Sequence, residues 1–482
     1  MIIEFFVDAP FKKIEYMKEM IWAFYPLSHI VQEDPNAHVK IKITKNANNA
    51  VFQLQETETG RTVLKKESFR EDRYYLKRKL YEALETFSEK KLAWGIATGI
   101  RPVHLADRIL KENGGQIDPA RKQLKKDYKI SDTLTRIMVN LALLEQQEME
   151  PLDEKKMELY VNIPFCPSRC SYCSFITREA SGPSADLRTY LDFLLQEIKI
   201  IGSVLKKYRV SLETVYIGGG TPSVLSAEQI GRLLQAVRDY MPVKVRKEWT
   251  FEGGRPDTLN DEIFAVLTEG GVDRISINPQ TLNENTLKKI GRKHTTKQFF
   301  DVFAKAKAHG FHTINCDLIY GLPEESPDDF LQSLHQILAL YPENITIHGL
   351  SKKRSASLSY QEIEDRQESG YDFYRLEIFR LLAQKGYEPY YLYRQKRTVE
   401  NGENIGFARK GHMGYYNLAM MSDKRSVIGL GAGSTGKLIG SSEKGIKRME
   451  TVKSVDHYRD QHSAIIDNKV KFLKDFFETI DM

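Results

Sequence analysis

Between Ile2 and Ser68 apolar and polar positions alternate in four short runs, "IIEFFVDA", "HVKIKITK", "AVFQLQET" and "RTVLKKES", separated by turn-forming residues. The second and third hold a period of two, which places successive side chains on opposite faces of a strand, so half-buried strands are expected. From Glu71 the period lengthens. "YYLKRKLYEALETFSEKKLAWG" sets Lys, Arg and Glu on one side of a helix and Leu and Tyr on the other. "TGIRPVHLADRILKEN" places Pro102 at a first helical position, where a missing N–H costs nothing. "QEMEPLDEKK" (147–156) is polar, holds Pro151 and reads as a linker. Residues 1–150 are therefore expected to form a small α/β domain followed by a helical connector.

Beyond Met157, apolar β-type runs alternate with amphipathic helical ones. "ELYVNI", "ETVYIGG", "EWTFEGG", "RISINPQ", "TINCDLIYG" and "ITIHGLS" read as strands, with helices at 186–207, 226–239, 260–269, 297–308 and 327–340. Repeated βα units imply a parallel sheet. Six strands fall within about 190 residues, short of the ~250 of a full eight-fold barrel. The expected fold is α/β, with a partial (β/α)6 barrel, open on one side, over 157–355. Residues 356–482 contain a long helix from about 360 to Gly386, a tyrosine-rich strand and the text "SVIGLGAGSTG", a strand running into a glycine-rich loop. They are expected as a C-terminal α+β domain covering the cleft.

Composition narrows the picture only a little. At 41% hydrophobic, 482 residues can build sizeable cores, yet no apolar run approaches the ~18–20 residues of a membrane span. Glu4 interrupts the short apolar run at the N-terminus and no small-residue cleavage site follows, which makes a poor signal peptide. A cytoplasmic protein is expected. The net charge of +6 is mild, compatible with an anionic substrate and equally with ordinary solubility. No zinc finger or clear nucleic-acid module is present, and the N-terminal domain stays open to a partner or a tRNA.

The candidate chemistry lies in the cysteines. Cys166, Cys170 and Cys173 stand at C-x3-C-x2-C directly after the strand "LYVNIPF", and Cys316 is the only other cysteine. That is no disulfide framework and fits a reducing compartment. Thiolates are soft ligands for iron–sulfur clusters, zinc or Cu(I). A structural zinc site takes four ligands, but no histidine lies between His104 and His294. A C-x2-C redox pair leaves Cys166 unexplained. Three cysteines can hold three irons of a 4Fe–4S cluster and leave the fourth iron open, able to chelate a ligand and pass it an electron.

C-x3-C-x2-C on the loop after the first strand of a βα barrel resembles the radical S-adenosylmethionine (SAM) superfamily. "YVNIPFCPSRCSYCSF", "YIGGGTPSVL", "RISINPQTLNENTLKKIGRKHT" and "INCDLIYGLPEES" together resemble the oxygen-independent coproporphyrinogen III dehydrogenase family and its haem-chaperone relatives over 157–440. The preceding domain, with "WGIATGIRPVHLADRI", is similar to the HemZ-type branch. The resemblance implies a 4Fe–4S cluster on Cys166, Cys170 and Cys173, with SAM on the open iron. It implies reductive cleavage of SAM to a 5′-deoxyadenosyl radical that takes a hydrogen from a propionate β-carbon, with loss of CO2 and one electron leaving a vinyl group. Tyr160 matches the tyrosine at SAM's bound end and Tyr172 the aromatic residue against adenine. Gly218, Gly219, Gly220 and Thr221 match the backbone segment that approaches SAM's amino and carboxylate ends. Glu252 matches the acid on the ribose hydroxyls. Gln280, Arg292 and Asp317 match positions around a second SAM, and Ser351 and Thr435 complete the cofactor set. Tyr160, Glu252, Gln280, Arg292 and Asp317 are the expected catalytic positions.

The resemblance implies conversion of coproporphyrinogen III to protoporphyrinogen IX in porphyrin and haem biosynthesis, with an electron donor such as flavodoxin or ferredoxin. The alternatives are a haem-binding, chaperone-like protein that keeps cluster and SAM, and a radical SAM enzyme acting on another substrate. Four departures bear on that choice. Asn162 stands where the dehydrogenase has histidine, and Phe175 where it has a fourth, non-ligand cysteine. "EGGRP" (252–256) replaces the usual acidic-apolar-Asx-Pro text, and "HMGYYN" (412–417) lacks the Asn and Trp of the chaperones' haem motif. "GAGSTGKL" (431–438) imitates a phosphate loop, but Leu438 replaces the hydroxyl residue that would hold Mg2+, so a structural loop is expected. Cys316, opposite to Asp317 on a regular strand, is expected as a core thiol.

Overall fold

A computed structural model describes residues 1–8, 14–26, 28–46, 48–173, 178–180, 185–351, 358, 371–396, 398–441 and 445–478. Phe175, the basic tract 352–357 and the first half of the helix expected from 360 lie outside the described residues.

The N-terminal alternation becomes a five-stranded sheet of β1 (Ile2–Val7), β2 (His29–Val31), β3 (Val39–Asn46), β4 (Asn49–Glu56) and β5 (Thr62–Ser68), in the order β2-β1-β3-β4-β5. Ile3, Phe5, Ile41, Ile43, Phe52 and Leu54 all fall on the buried face, as the period of two requires. That face is covered by α1 (Glu15–Phe24) and α2 (Arg73–Ser88). The strand pattern did not reveal α1, which buries Met17, Met20, Ile21 and Phe24 at helical spacing. Asp72 starts α2 by accepting hydrogen bonds from the Tyr74 and Tyr75 amides. Helices α3 (Pro102–Glu112), α4 (Ile117–Tyr128) and α5 (Asp132–Met149) form the connector.

The barrel strands are β6 (Lys156–Ile163), β9 (Ser211–Gly219), β10 (Val243–Gly254), β11 (Arg274–Ile277), β12 (Thr313–Tyr320) and β13 (Asn344–Gly349), each parallel to the next. They alternate with α6 (Ala185–Lys207), α7 (Ala227–Tyr240), α8 (Asp261–Glu269), α9 (Glu284–Lys289), α10 (Thr296–Ala308) and α11 (Pro327–Leu340). Reciprocal capping boxes at Ser226/Gln229, Thr295/Gln298 and Ser326/Asp329 set where α7, α10 and α11 begin. A two-residue pair, β7 (Phe165–Cys166) with β8 (Arg178–Glu179), stands apart over the strand ends. β6 and β13 do not meet. Instead β14 (Glu388–Arg394) and β15 (Glu403–Ala408) continue the sheet antiparallel past β13. On the other side β16 (Ser426–Leu430) runs parallel to β6 and is followed by β17 (Thr435–Ile439) and β18 (Ile446–Glu450). The fold is thus a partial (β/α)6 barrel inside an eleven-stranded sheet to which the C-terminal segment contributes five strands. After α12 (Tyr371–Gln384) and α13 (Tyr415–Ser422), the described chain ends in α14 (Val455–Asp460) and α15 (His462–Glu478).

Alternation along the barrel strands divides two chemistries. One set, including Leu159, Val161, Ile217, Phe251, Ile275, Cys316 and Ile345, packs into the main apolar core. Cys316 is completely buried there, as expected for a core thiol. The other set is polar and hydrogen-bonds between residues two apart along β6, β10, β11 and β12. Tyr160 donates to Asn162 Oδ1 (2.9 Å), Thr250 to Glu248 (2.7 Å), Ser276 to Asn278 (2.5 Å) and Asn315 to Asp317 (2.8 Å). Cross-strand bonds from Asn315 to Ser276 and from Thr346 to Asn315 tie the rungs together. At one end α13 stacks Tyr416 on Tyr216 (4.4 Å) and Tyr160 (5.9 Å). At the other end the polar set lines a cleft.

Glu158 belongs to this polar set and is almost wholly buried. Burial first, then the Glu213 and Glu248 carboxylates, push it up to about 7 against the hydrogen bond from Thr214. A carboxyl raised in the fold stabilises it fully only below its unfolded value; that stability is lost as pH rises toward the folded value, because the unfolded chain releases the proton first. Glu158→Gln is therefore expected to be nearly neutral at pH 4.5 and to stabilise by about 3 kcal/mol at pH 8. Urea unfolding of wild type and variant across that window checks the sign. A variant equally or less stable at pH 8 would contradict it.

Candidate functional site

The cysteine loop leaves β6 at Ile163 and is held from beneath by the glycine run that ends β9. The Gly220 amide donates to the Ile163 carbonyl (2.9 Å) and the Thr221 amide to the Phe165 carbonyl (2.7 Å). Gly219 has φ +119°, and a Cβ on Gly220 would sit 2.4 Å from the Phe165 oxygen and 3.0 Å from Cys166 Sγ. Only glycine allows the two loops to approach this closely. The Thr221 hydroxyl donates to Cys166 Sγ at 3.4 Å. Within the loop the Cys173 amide donates to the Cys170 carbonyl, and the Ser171 amide to the Ile290 carbonyl. None of the four cysteines is in a disulfide.

Cys166, Cys170 and Cys173 line one cleft of about 250 Å³ at the C-terminal ends of the barrel strands, the end at which barrel sites form. The same cleft gathers Tyr172, Gly219, Gly220, Thr221, Glu252, Gln280, Arg292, Asp317 and Ser351. Twelve positions scattered over 186 residues of sequence thus share one wall. Gly218 lies just behind it, so close to Glu252 that a Cβ would stand 2.6 Å from Oε2. Tyr160 lies one rung below, stacked on Tyr416 and bonded to Asn162, so it supports the cleft without lining it. Thr435 is not at the cleft. It is exposed on β17, opposite Glu450, which overturns its expected place beside a ligand. The reason is the turn at 431–434. Asn162 Nδ2 bonds the Ala432 carbonyl and the Tyr190 hydroxyl fills the space against Gly431, so the chain reverses underneath Asn162. "GAGSTG" is a structural loop, as expected.

The site's electrostatics follow from burial. Glu252 accepts from the Tyr216 hydroxyl (2.5 Å) and the Gly219 amide (3.1 Å), yet burial, reinforced by Asp317, pushes it up to about 7. Burial also pushes Asp317 upward, but the His348 imidazole (3.6 Å) and the Asn315 and Thr346 hydrogen bonds outweigh it and hold the carboxyl below its usual range. His348 is raised in turn: burial works against its charge, and Asp317 and Asn404 prevail. Arg292 donates to Tyr172 (3.0 Å) and to the Asn278 carbonyl (3.3 Å), while its Nε is buried with no partner among the described residues. Gln280, at φ +68°, bridges β12 through Asp317 and Ile319. That left-handed conformation is unfavourable for a side chain, and it is held by both backbone bonds at the cleft mouth.

The sequence reading missed Arg255, His348, Tyr393 and Asn404, all of which line the cleft. His348 was reachable, because it follows Thr346 with period two at a strand end. Asn404 and Tyr393 were not, because they arrive on antiparallel strands outside the βα repeat. His412, which opens "HMGYYN", is elsewhere: its Nδ1 meets Thr313 (3.0 Å), its ring stacks on His312 (4.6 Å), and its carbonyl accepts from Arg274 and Asn344.

A single zinc ion needs ligands that converge on one point at about 2.0–2.3 Å, and among the described residues no three metal-binding side chains do so. Cysteines that each hold a different iron of a cluster need not converge, so three thiols spread along one cleft fit an iron–sulfur cube. Among the described residues, Arg292 Nε and Asn404 Nδ2, on two residues that line the cleft, are buried without a hydrogen-bond partner.

Comparison with known proteins agrees with this arrangement. Residues 160–337 match the family model of the radical SAM superfamily. The chain is 36% identical over 397 residues to the oxygen-independent coproporphyrinogen-III oxidase-like protein HemZ of Bacillus subtilis (strain 168), covering 80% of this chain and 78% of that one. It is 33% identical over 301 residues to the heme chaperone HemW of Lactococcus lactis, covering 61% and 73%. The solved coproporphyrinogen III oxidase (HemN) of Escherichia coli, a radical SAM enzyme, superposes with a TM-score of 0.50 at 23% identity, covering 67% of this chain and 72% of that one, which shows a shared fold. Among the described residues no helix is long and apolar enough to cross a membrane.

Proposed function

From the premise that this chain belongs to the radical SAM superfamily, and within it to the oxygen-independent coproporphyrinogen III oxidase-like family of the HemZ type, we propose that it decarboxylates two propionates of coproporphyrinogen III to vinyl groups, giving protoporphyrinogen IX. The family uses a 4Fe–4S cluster and SAM. The observation that carries the reading is the meeting of the three cysteines with Glu252, Gln280, Arg292 and Asp317 on one cleft.

When bound, cluster and SAM supply one-electron reductive cleavage of the sulfonium and abstraction of a substrate hydrogen. This chain's residues supply the setting. Cys166, Cys170 and Cys173 hold three irons, with the Thr221 hydroxyl on Cys166 Sγ stabilising thiolate charge. Gly219 and Gly220 would hold SAM's amino and carboxylate ends through their backbone groups, Tyr172 would hold its adenine and Glu252 its ribose hydroxyls, since all four line the cleft. Arg292, always charged, lines the cleft and favours an anionic group there. Asp317 raises His348 above its ordinary value, and Arg169 and Arg292 also line the cleft, which suits a substrate that carries carboxylates. The electron comes from a small redox protein such as flavodoxin or ferredoxin.

An anaerobic assay with reconstituted protein, reductant, SAM and coproporphyrinogen III tests this. Deoxyadenosine and decarboxylated porphyrin are expected together. Deoxyadenosine without porphyrin product would defeat the dehydrogenase reading and leave a radical SAM enzyme with another substrate. The identity to proteins named heme chaperones favours a second reading, in which the chain binds haem. Stoichiometric haem binding without porphyrin turnover would promote it. Since His412 is engaged at Thr313 and His312, its removal is not expected to release haem.

A further inference from the structure

We propose that Arg255 is a positioning residue that preforms the cysteine loop before any cluster is loaded. It sits in "EGGRP", the stretch that departs from the family's usual text. At the end of β10, Gly254 takes φ +65° and the Arg255 amide turns back onto the Gly253 carbonyl (2.6 Å), which aims the arginine across the cleft. Only 2% of the residue is exposed. Nε and NH2 form a fork on the two Asp257 oxygens (3.0 and 2.9 Å). NH1 donates to Ser168 Oγ (2.9 Å) and to the Ser168 carbonyl (3.2 Å). Ser168 lies two residues from Cys166 and two from Cys170.

Each nitrogen of the guanidinium is therefore engaged, which makes it a strut and not a substrate contact. Burial pushes the Asp257 carboxyl up, but the Arg255 hydrogen bonds and charge overcome this and hold it below the usual range, so the fork is charge-assisted on both sides. The Asp257–Arg255–Ser168 chain links the turn after β10 to the middle of the cysteine loop. It fixes the two ends of the Cys166–Cys170 segment as one unit. Lysine cannot replace it, because a single ammonium cannot grip both Asp257 oxygens and also reach Ser168.

This inference rests on the cluster reading only for its consequence, since the ordering of the loop is a property of the metal-free protein. Hydrogen exchange on metal-free wild type, Arg255→Gln and Arg255→Lys is the test, followed by anaerobic iron and sulfide loading. Arg255→Gln is expected to speed exchange at residues 166–173 by about tenfold or more, to leave barrel strands β9 to β12 unchanged, and to reduce iron incorporation several-fold. Arg255→Lys is expected to recover little of either. Unchanged exchange in the loop would overturn the proposal, and so would acceleration spread evenly over the barrel, which marks a merely structural residue. Wild-type protein that takes up no iron would sink the cluster reading, while the exchange result would still decide the role of Arg255.

Discussion

Cys170→Ala is expected to leave the chain folded and empty: iron retained after anaerobic reconstitution falls from about four per chain toward zero, and reductive SAM cleavage drops by more than about 100-fold. Loss of a supporting contact at a metal site costs ~10–100-fold in affinity or activity; removal of one of three direct ligands exceeds that, because no other thiol among the described residues lies in the cleft to replace it. Cys170 is the buried member of the trio, and its carbonyl holds the Cys173 amide. Alanine keeps that backbone bond, so the loss reports the thiolate. Cys316→Ala is the control. It truncates a thiol deep in the apolar core, with an expected cost of about 1–2 kcal/mol in stability and no change in iron content. Iron analysis and deoxyadenosine formation on both variants decide the matter; full iron content in Cys170→Ala would remove the basis of the cluster assignment.

The second large effect concerns the seam between Trp94, just after α2, and the C-terminal strands β14 and β15. Glu403 on β15 is wholly buried, with Oε1 accepting from Arg375 Nε (2.8 Å) and Oε2 from Arg375 NH2 (3.0 Å) and Trp94 Nε1 (3.2 Å). Arg394 lies over the Trp94 ring at 4.7 Å and donates to the Ala97 carbonyl. Removing one partner of a buried pair strands the other charge, so Glu403→Ala is expected to cost about 3–5 kcal/mol. Trp94→Phe gives up one indole hydrogen bond and is expected to cost about 1 kcal/mol. Replacing both Glu403 and Arg375 with leucine should recover part of the loss, since Arg375 is then no longer stranded while the buried Arg394 still gives up the charge of Glu403. Urea midpoints of the three variants provide the check; a cost below about 1 kcal/mol for Glu403→Ala would mean that water or a second group compensates Arg375. Because Asn404, the next residue, faces the cleft, the same seam fixes part of the site wall.

Much of the site was legible because its signals are local. Three thiols within eight residues, a glycine run one βα unit later and polar residues at strand ends are each contained in a short window, and parallel βα repetition brings such windows to one end of a barrel. The expectation failed where a signal depends on how distant strands meet. Thr435 stands next to a glycine loop that reads like a ligand cradle, yet the hydrogen bond from Asn162 to Ala432 turns the chain away. Asn404 and Tyr393 carry no mark of their role, since a residue on an antiparallel strand faces the cleft only through its register with β13 and β15.

The sequence by itself determined the parallel barrel, the cluster of three cysteines and the glycine approach beside it, because periodicity and steric permission act over a few residues. Only the tertiary structure decided that burial pushes Glu252 up to about 7, that Asp317 raises His348, and that Arg255 reaches from the end of β10 to Ser168. Those outcomes come from burial and from contacts between residues up to 87 positions apart, and desolvation depends on the whole surrounding fold rather than on any neighbour in the chain.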